Sequence, residues 1–242
     1  MCYETALTKT EKLIQKHFQM DFKIPLEFQP YYHRSGFTHP NLQIVKMDEP
    51  TSIYPTSWGY VPSWGRRDVA AFRKKYNTLN IKVETLFKGM SKEAALERRC
   101  LIIADGFFEP HKRSNLSVPY FCYIPTKEFT DGRDLFVFGG IYSELESDAH
   151  QYSCAILTME ANSFFSEIHN VKKRQPFVLD DGLYKEWFNP DLDEKNVTEL
   201  IKHGFTSKEF KAYPVSRDLY RRDVDTDKSY ILEREELDGL LF

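Results

Sequence analysis

CLIIADGFFE, running from Cys100 to Glu109, sets an apolar, β-branched run against two phenylalanines across Asp105-Gly106. Asp and Gly tolerate the left-handed backbone that a tight reversal needs, so the stretch reads as strand, turn, strand. The same grammar recurs outward in NLQIVKM (41–47), TSWGYVP (56–62), LNIKVETLF (79–87), PYFCYIP (119–125), LFVFGGIY (135–142), YSCAILT (152–158) and PFVLD (176–180). A further turn is expected at Asp131-Gly132-Arg133. Helical periodicity is rarer. It is found in TKTEKLIQKHF, with Thr8 or Thr10 as cap, in SKEAALERR after Ser91, and in ANSFFSEIHN, GLYKEWF and EKNVTELIKHG, the last stopped by Gly204. Strands do not alternate with helices, which excludes a doubly wound parallel sheet. The expectation is an α+β fold: a mainly antiparallel, curved sheet or barrel-like core with peripheral helices. With no repeat, low-complexity tract or Gly/Ser linker, residues 1–242 read as a single domain.

Composition narrows the functional classes. Hydrophobic residues are 41% and charged residues 29%, the usage of a chain that packs a core and not of a disordered one. No apolar run approaches membrane-spanning length, and the polar N-terminal stretch does not resemble a signal peptide, so a cytoplasmic protein with no membrane partner is expected. Four cysteines, Cys2, Cys100, Cys122 and Cys154, lack the paired spacing of a zinc site or disulfide framework. The last three lie in apolar runs and read as buried free thiols. No metal or cofactor is expected, nor any oligomer beyond the monomer. The net charge of -3 excludes a protein that coats nucleic acid indiscriminately. The charge is uneven, however. Arg66, Arg67, Arg73, Lys74, Lys75, Lys82, Lys88 and Lys92 face only Asp68 and Glu84 in the segment after Trp64, and Lys172-Lys173-Arg174 forms a second knot. Each cluster is either a solvated face or one wall of an anion-binding groove.

Cys2 follows the initiator methionine. If Met1 is removed, one residue carries an α-amine and a thiol on adjacent carbons, a pair of nucleophiles that no internal cysteine offers. Three partners for such chemistry stand out. Strand alternation in LNIKVETL puts Asn80, Lys82 and Glu84 on one face, either the wet side of a sheet or a site wall. Glu109 follows two phenylalanines, as a surface residue at a strand end or as an enclosed acid/base. His169 ends a helix before Pro176, as a helix C-cap or as a proton carrier.

The order of pieces carries a resemblance that no piece carries alone. Met-Cys, then WGYVPSW, N-x-K-x-E-T, RRCLIIADGFFE, FGGIY, LTMEAN and IHNVKKRQP run collinearly from Cys2 to Ser216 and resemble the SRAP family, the SOS response-associated peptidases or abasic-site processing proteins. The resemblance implies an SRAP fold and a DNA-damage response function in which the processed N-terminal cysteine captures the aldehyde of an abasic site in single-stranded DNA as a covalent thiazolidine. Abasic-site lyase and cysteine-type self-processing activity are implied with it. Catalytic roles would fall to Cys2, Asn80, Glu109 and His169. Phosphate contacts would fall to Lys82 and Arg174, base stacking to Trp64, and the neighbouring Arg66 and Arg67 to DNA binding; Trp58 is expected in the core. Position 4 is Glu where the family often has Arg, Tyr3 replaces its Gly, and Lys82 stands for its Arg. Two other classes fit the residues alone: an N-terminal-nucleophile amidohydrolase using Cys2, and a noncatalytic single-strand binding module.

Overall fold

The computed structural model describes residues 2–146 and 151–236. Thirteen strands are found among them, in two sheets. The larger contains β2 (Asp21–Phe22), β4 (Asn41–Lys46), β5 (Glu49–Trp58), β6 (Asn80–Lys82), β7 (Arg99–Ala104), β10 (Phe136–Glu146), β11 (Gln151–Glu160) and β12 (Arg174–Pro176). Antiparallel pairing runs through β11, β10, β7, β4 and β5, and a short parallel pairing of β11 with β5, at Ser153↔Ser57 and Cys154↔Trp58, curls the sheet closed. The smaller sheet has the order β13 (Lys211–Pro214), β9 (Leu116–Tyr123), β8 (Gly106–Arg113), β1 (Glu4–Leu7) and β3 (Tyr31–Ser35). The α+β class, the antiparallel majority and the curled core are therefore as expected. Helices α1 (Glu11–Phe18), α2 (Val69–Lys75), α3 (Lys92–Glu97), α4 (Ser163–Ile168), α5 (Tyr184–Trp187) and α6 (Glu194–His203) lie outside the sheets. Among the described residues no helix is long and apolar enough to cross a membrane.

The opening stretch folds differently from a hairpin. β7 pairs with β4 and β10, whereas β8 pairs with β1 and β9, so Asp105-Gly106 carries the chain from one sheet to the other. Strand chemistry on both sides was legible; which strands they would pair with was not. Close packing at this corner requires a glycine, since a Cβ on Gly106 would lie 2.2 Å from the Phe121 ring. Asp105 is fully buried, and its carboxylate accepts from the Thr8 N–H (3.0 Å), the Thr8 hydroxyl and the Lys9 ammonium (3.1 Å). Lys9 also reaches Asp131 (2.7 Å), which takes Arg133 as well (2.8 Å). At the second expected turn Gly132 does adopt a positive φ of 72°.

Local predictions fail where side chains find other partners. LNIKVETLF is a strand only to Lys82, after which Val83–Thr85 turns as a 3-10 segment. Thr10 makes no side-chain cap on α1, and the Ser91 hydroxyl donates to Leu86 O (2.7 Å) rather than capping α3. Asn162 and Asp193 do cap α4 and α6. Cys100, Cys122 and Cys154 are buried and free, as expected. Two apolar cores result. The larger lies within and around the curled sheet, and a second packs Ala6, Phe108 and Phe121 under Val215, Leu219, Ile231 and Leu232. Arg99, fully buried, binds no carboxylate among the described residues. Its guanidinium donates to the carbonyls of Ala95 (2.8 Å), Leu96 (2.8 Å), Trp187 (2.8 Å) and Asn189 (2.6 Å), tying α3 to α5, and burial lowers its pKa to about 10.

Replacing Asp105 leaves the enclosed Lys9 ammonium with Asp131 alone. Asp105→Ala is expected to cost about 3 kcal/mol in urea unfolding, as for a broken buried ion pair. The double replacement Lys9→Met/Asp105→Leu is expected to recover most of it; equal loss in both would show that the ion pair is not the source.

Candidate active site

Cys2 is brought indoors by the strand that follows it. β1 is paired on both edges, with Glu4 opposite Ser35 of β3 and opposite Phe108 of β8, so its start lies inside the protein and Cys2 has no exposed surface. The Cys2 carbonyl accepts from Asn80 Nδ2 at 2.8 Å. Asn80 opens β6, fixed by parallel pairing with β11 at Ile156, and its Oδ1 is buried with no partner among the described residues. Burial pushes the Cys2 thiol well above its ordinary pKa, and the nearby Glu109 carboxylate pushes it further. The thiol is thus held protonated at neutral pH, with its Sγ 3.8 Å from the Glu4 carbonyl oxygen.

Glu109 lies on β8 opposite Tyr120, fully buried. Its Oε2 is 3.0 Å from His169 Nδ1, and that nitrogen also lies 3.2 Å from Arg174 O. Both partners of Nδ1 are acceptors, so Nδ1 carries a proton and orients the carboxylate. His169 does end α4, where its N–H bonds Phe165 O (2.8 Å), but the ring turns inward and is buried instead of resting on the helix end in solvent. Cys2, Asn80, Glu109 and His169, far apart in sequence, are therefore brought to one place. Together they offer a thiol, an amide donor to the carbonyl of the same residue, and a carboxylate–imidazole pair for moving protons.

The surrounding residues divide. Exposed Lys82 shares a groove with Asn80, Tyr76, Lys88 and Met90. Trp64, 56% exposed, stands over Phe72 and Tyr76 at ring distances of 5.3 and 5.8 Å, so it borders that groove. Trp58 is buried and donates to Leu79 O (2.8 Å), a core residue. Arg174 is engaged: it bonds Glu84 Oε2 (3.0 Å) and Thr158 O (2.6 Å). Burial raises the Glu84 carboxyl, but the Arg174 bond and charge outweigh it and hold it below its ordinary value. Arg67 is exposed on the same 3-10 turn as Trp64, while Arg66 faces a different pocket, with Arg73. A group of possible metal ligands among the described residues, His17, Glu128 and Asp134, shares no residue with this site, and the Lys208 ammonium sits 3.1 Å from Asp134 in competition with any ion.

A profile described as SOS response associated peptidase (SRAP) matches residues 1–221. The chain belongs to the SRAP family. Among relatives, the Bacillus subtilis abasic site processing protein YoqW is 27% identical over 222 residues, covering 89% of this chain and 92% of its own. The Escherichia coli abasic site processing protein YedK is 28% identical over 178 residues, 73% of each chain. A crystal structure from Bacteroides thetaiotaomicron shares the fold, with a TM-score of 0.82 at 23% identity over 97% of this chain and all of that one. Beside the collinear SRAP motifs, this member has features that sequence reasoning missed. Tyr3 packs its ring against that of Phe37 at a tilt of 43°, with centroids 5.0 Å apart. Glu4 does not stand exposed but meets His33 Nε2 (2.7 Å) and the Ser35 hydroxyl (3.2 Å). His33 and Ser35 lie two apart in YYHRS, the spacing of one strand face, which was the only signal.

Because the Glu109 charge adds to burial in disfavouring the thiolate, Glu109→Gln is expected to move the midpoint of Cys2 alkylation to lower pH. Mass spectrometry of the N-terminal peptide after iodoacetamide pulses across a pH series measures it. An unchanged or raised midpoint would show that Glu109 does not act on the thiol.

Proposed function

We propose that this protein processes abasic sites in single-stranded DNA by covalent capture through Cys2. The observation that carries the reading is the convergence of the buried Cys2 with Asn80 and the Glu109–His169 pair. After loss of Met1 the α-amine, with a reference pKa of about 7.7–8.0, is largely neutral near physiological pH and attacks the ring-opened sugar aldehyde. Water leaves and an imine forms. The thiol then passes its proton toward Glu109 and adds to the imine carbon, while the imine nitrogen takes up a proton, closing a five-membered thiazolidine. Both nucleophiles belong to one residue, so the second addition is intramolecular and gains a large effective molarity. Asn80 positions Cys2 through its carbonyl, and His169 keeps the Glu109 carboxylate oriented between the two proton transfers. Strand scission from the imine is the accompanying lyase step, with Glu109–His169 the nearest base. Lys82 and Trp64, bordering the groove beside Asn80, serve the phosphate and a flanking base.

A denaturing gel of the Met-free protein with abasic single-stranded DNA tests this. Wild type is expected to give a denaturation-resistant band that Cys2→Ala abolishes, and Glu109→Gln to slow its formation by about 10²- to 10⁴-fold. Salt-sensitive binding without the band would leave a binding module, and amide turnover without the band an amidohydrolase. Lys82→Ala is expected to flatten the salt dependence of DNA affinity by about one in log-log slope, with reaction toward a small soluble aldehyde retained. Equal loss on both substrates would make Lys82 a structural residue.

A further inference from the structure

Arg66 and Arg73 line one pocket of about 480 Å³ between the 3-10 turn Ser63–Asp68, α2, and the ends of β4, β5 and β11. Arg66 Nη2 reaches the Ser143 hydroxyl at 3.4 Å, and Arg73 Nη2 reaches the Ser57 hydroxyl at 2.5 Å and Gly59 O at 3.4 Å. The Nε donors of both arginines are buried and have no hydrogen-bond partner among the described residues. Arg98, Arg133, Arg174 and Arg221 each pair with a carboxylate. Arg66 and Arg73 form no such pair among the described residues; Glu27, on the rim, is exposed and bonds neither. Burial pulls the Arg73 pKa down, and the nearby Cys154 side chain offsets this only in part.

Two half-buried guanidinium groups that line one pocket, each with a buried Nε lacking a partner and neither paired with a carboxylate among the described residues, leave hydrogen-bonding capacity for an incoming anion. Asn41, Gln151 and Tyr152 complete the polar wall. We infer that Arg66 and Arg73 together seat a phosphate group, at a place separate from the Cys2 site. Planar forks of N–H donors fit a tetrahedral oxyanion, and two such forks line this one pocket. The seat is connected. An adjoining groove lined by Thr38, His39, Arg73 and Lys74 shares Arg73 with it, and Phe37, next to Thr38 in the chain, has its ring against Tyr3, the neighbour of Cys2. The phosphate comes from a DNA strand led away from Cys2 along this groove, or from a free phosphate or phosphomonoester. The DNA source rests on the proposed function; the seat itself does not.

Inorganic phosphate is the first probe. Phosphate is expected to raise the melting temperature of the full chain above that in chloride of equal ionic strength, and Arg73→Gln to abolish the difference, with Arg73→Lys restoring it only in part. Intact single-stranded DNA lacking an abasic site is the second. Affinity is expected to fall at least about threefold in Arg73→Gln, with a salt slope shallower by about one, where a backbone phosphate fills the seat. Loss of phosphate protection with DNA affinity and slope unchanged assigns the seat to a free phosphate. Should Arg73→Gln not fold, as read by circular dichroism, Arg66→Gln in the same pocket answers the same question. No phosphate-specific stabilisation, together with unaltered DNA binding in the variants, overturns the inference. Wild-type crosslinking to abasic DNA is scored separately, so absence of the band counts against the proposed function and leaves the seat standing.

Discussion

A short strand at a chain start frays unless its backbone is occupied on both sides. β1 has both edges filled, by β3 and β8, and its far end is pinned where Thr8 and Lys9 meet the Asp105 carboxylate. Everything distinctive about Cys2 follows from this clamp. Enclosure of the residue, its carbonyl bond to Asn80 and its closeness to Glu109 all need β1 held in register. The corner that moves the chain between sheets is also the corner that binds the strand, so one buried carboxylate serves topology and site together.

Within the site, enclosure and charge act in the same direction on the thiol. Both keep it protonated, which protects it from stray electrophiles. Facing two acceptors, the His169 Nδ1–H steadies that carboxylate. The cationic groups lie outside this enclosure. Lys82 and Lys88 line one groove and Arg73 and Lys74 another, an arrangement in which a polyanion is met at the surface and only a small reactive group need enter.

Much of this was legible because it depends on local composition. Alternating apolar runs gave the strands of the curled sheet, and the placement of Glu109 after two phenylalanines already hinted at enclosure. What escaped depended on distant partners. ETAL and YYHRS are too short and polar to declare themselves as β1 and β3, and their strand character comes from neighbours more than from propensity. VAAFRKK, read as part of a basic run, is helix α2 because Asp68 caps it at Ala71 N. An Asp-Gly pair signals a reversal in a hairpin, but nothing within ten residues says that the flanking strands belong to different sheets. Glu84 and Arg174 are ninety positions apart, so only the fold could show that each occupies the other.

The Arg99 staple differs in kind from the ion pairs elsewhere. Lys9–Asp131 and Arg174–Glu84 rely on carboxylates held below their ordinary pKa, so the stability they contribute is present near neutrality and drains away as acid protonates them. Arg99 keeps all its protons in acid and gives them to neutral carbonyls, which do not titrate there. Acidification therefore weakens the Lys9–Asp131 and Arg174–Glu84 links while the α3–α5 shoulder is still fastened.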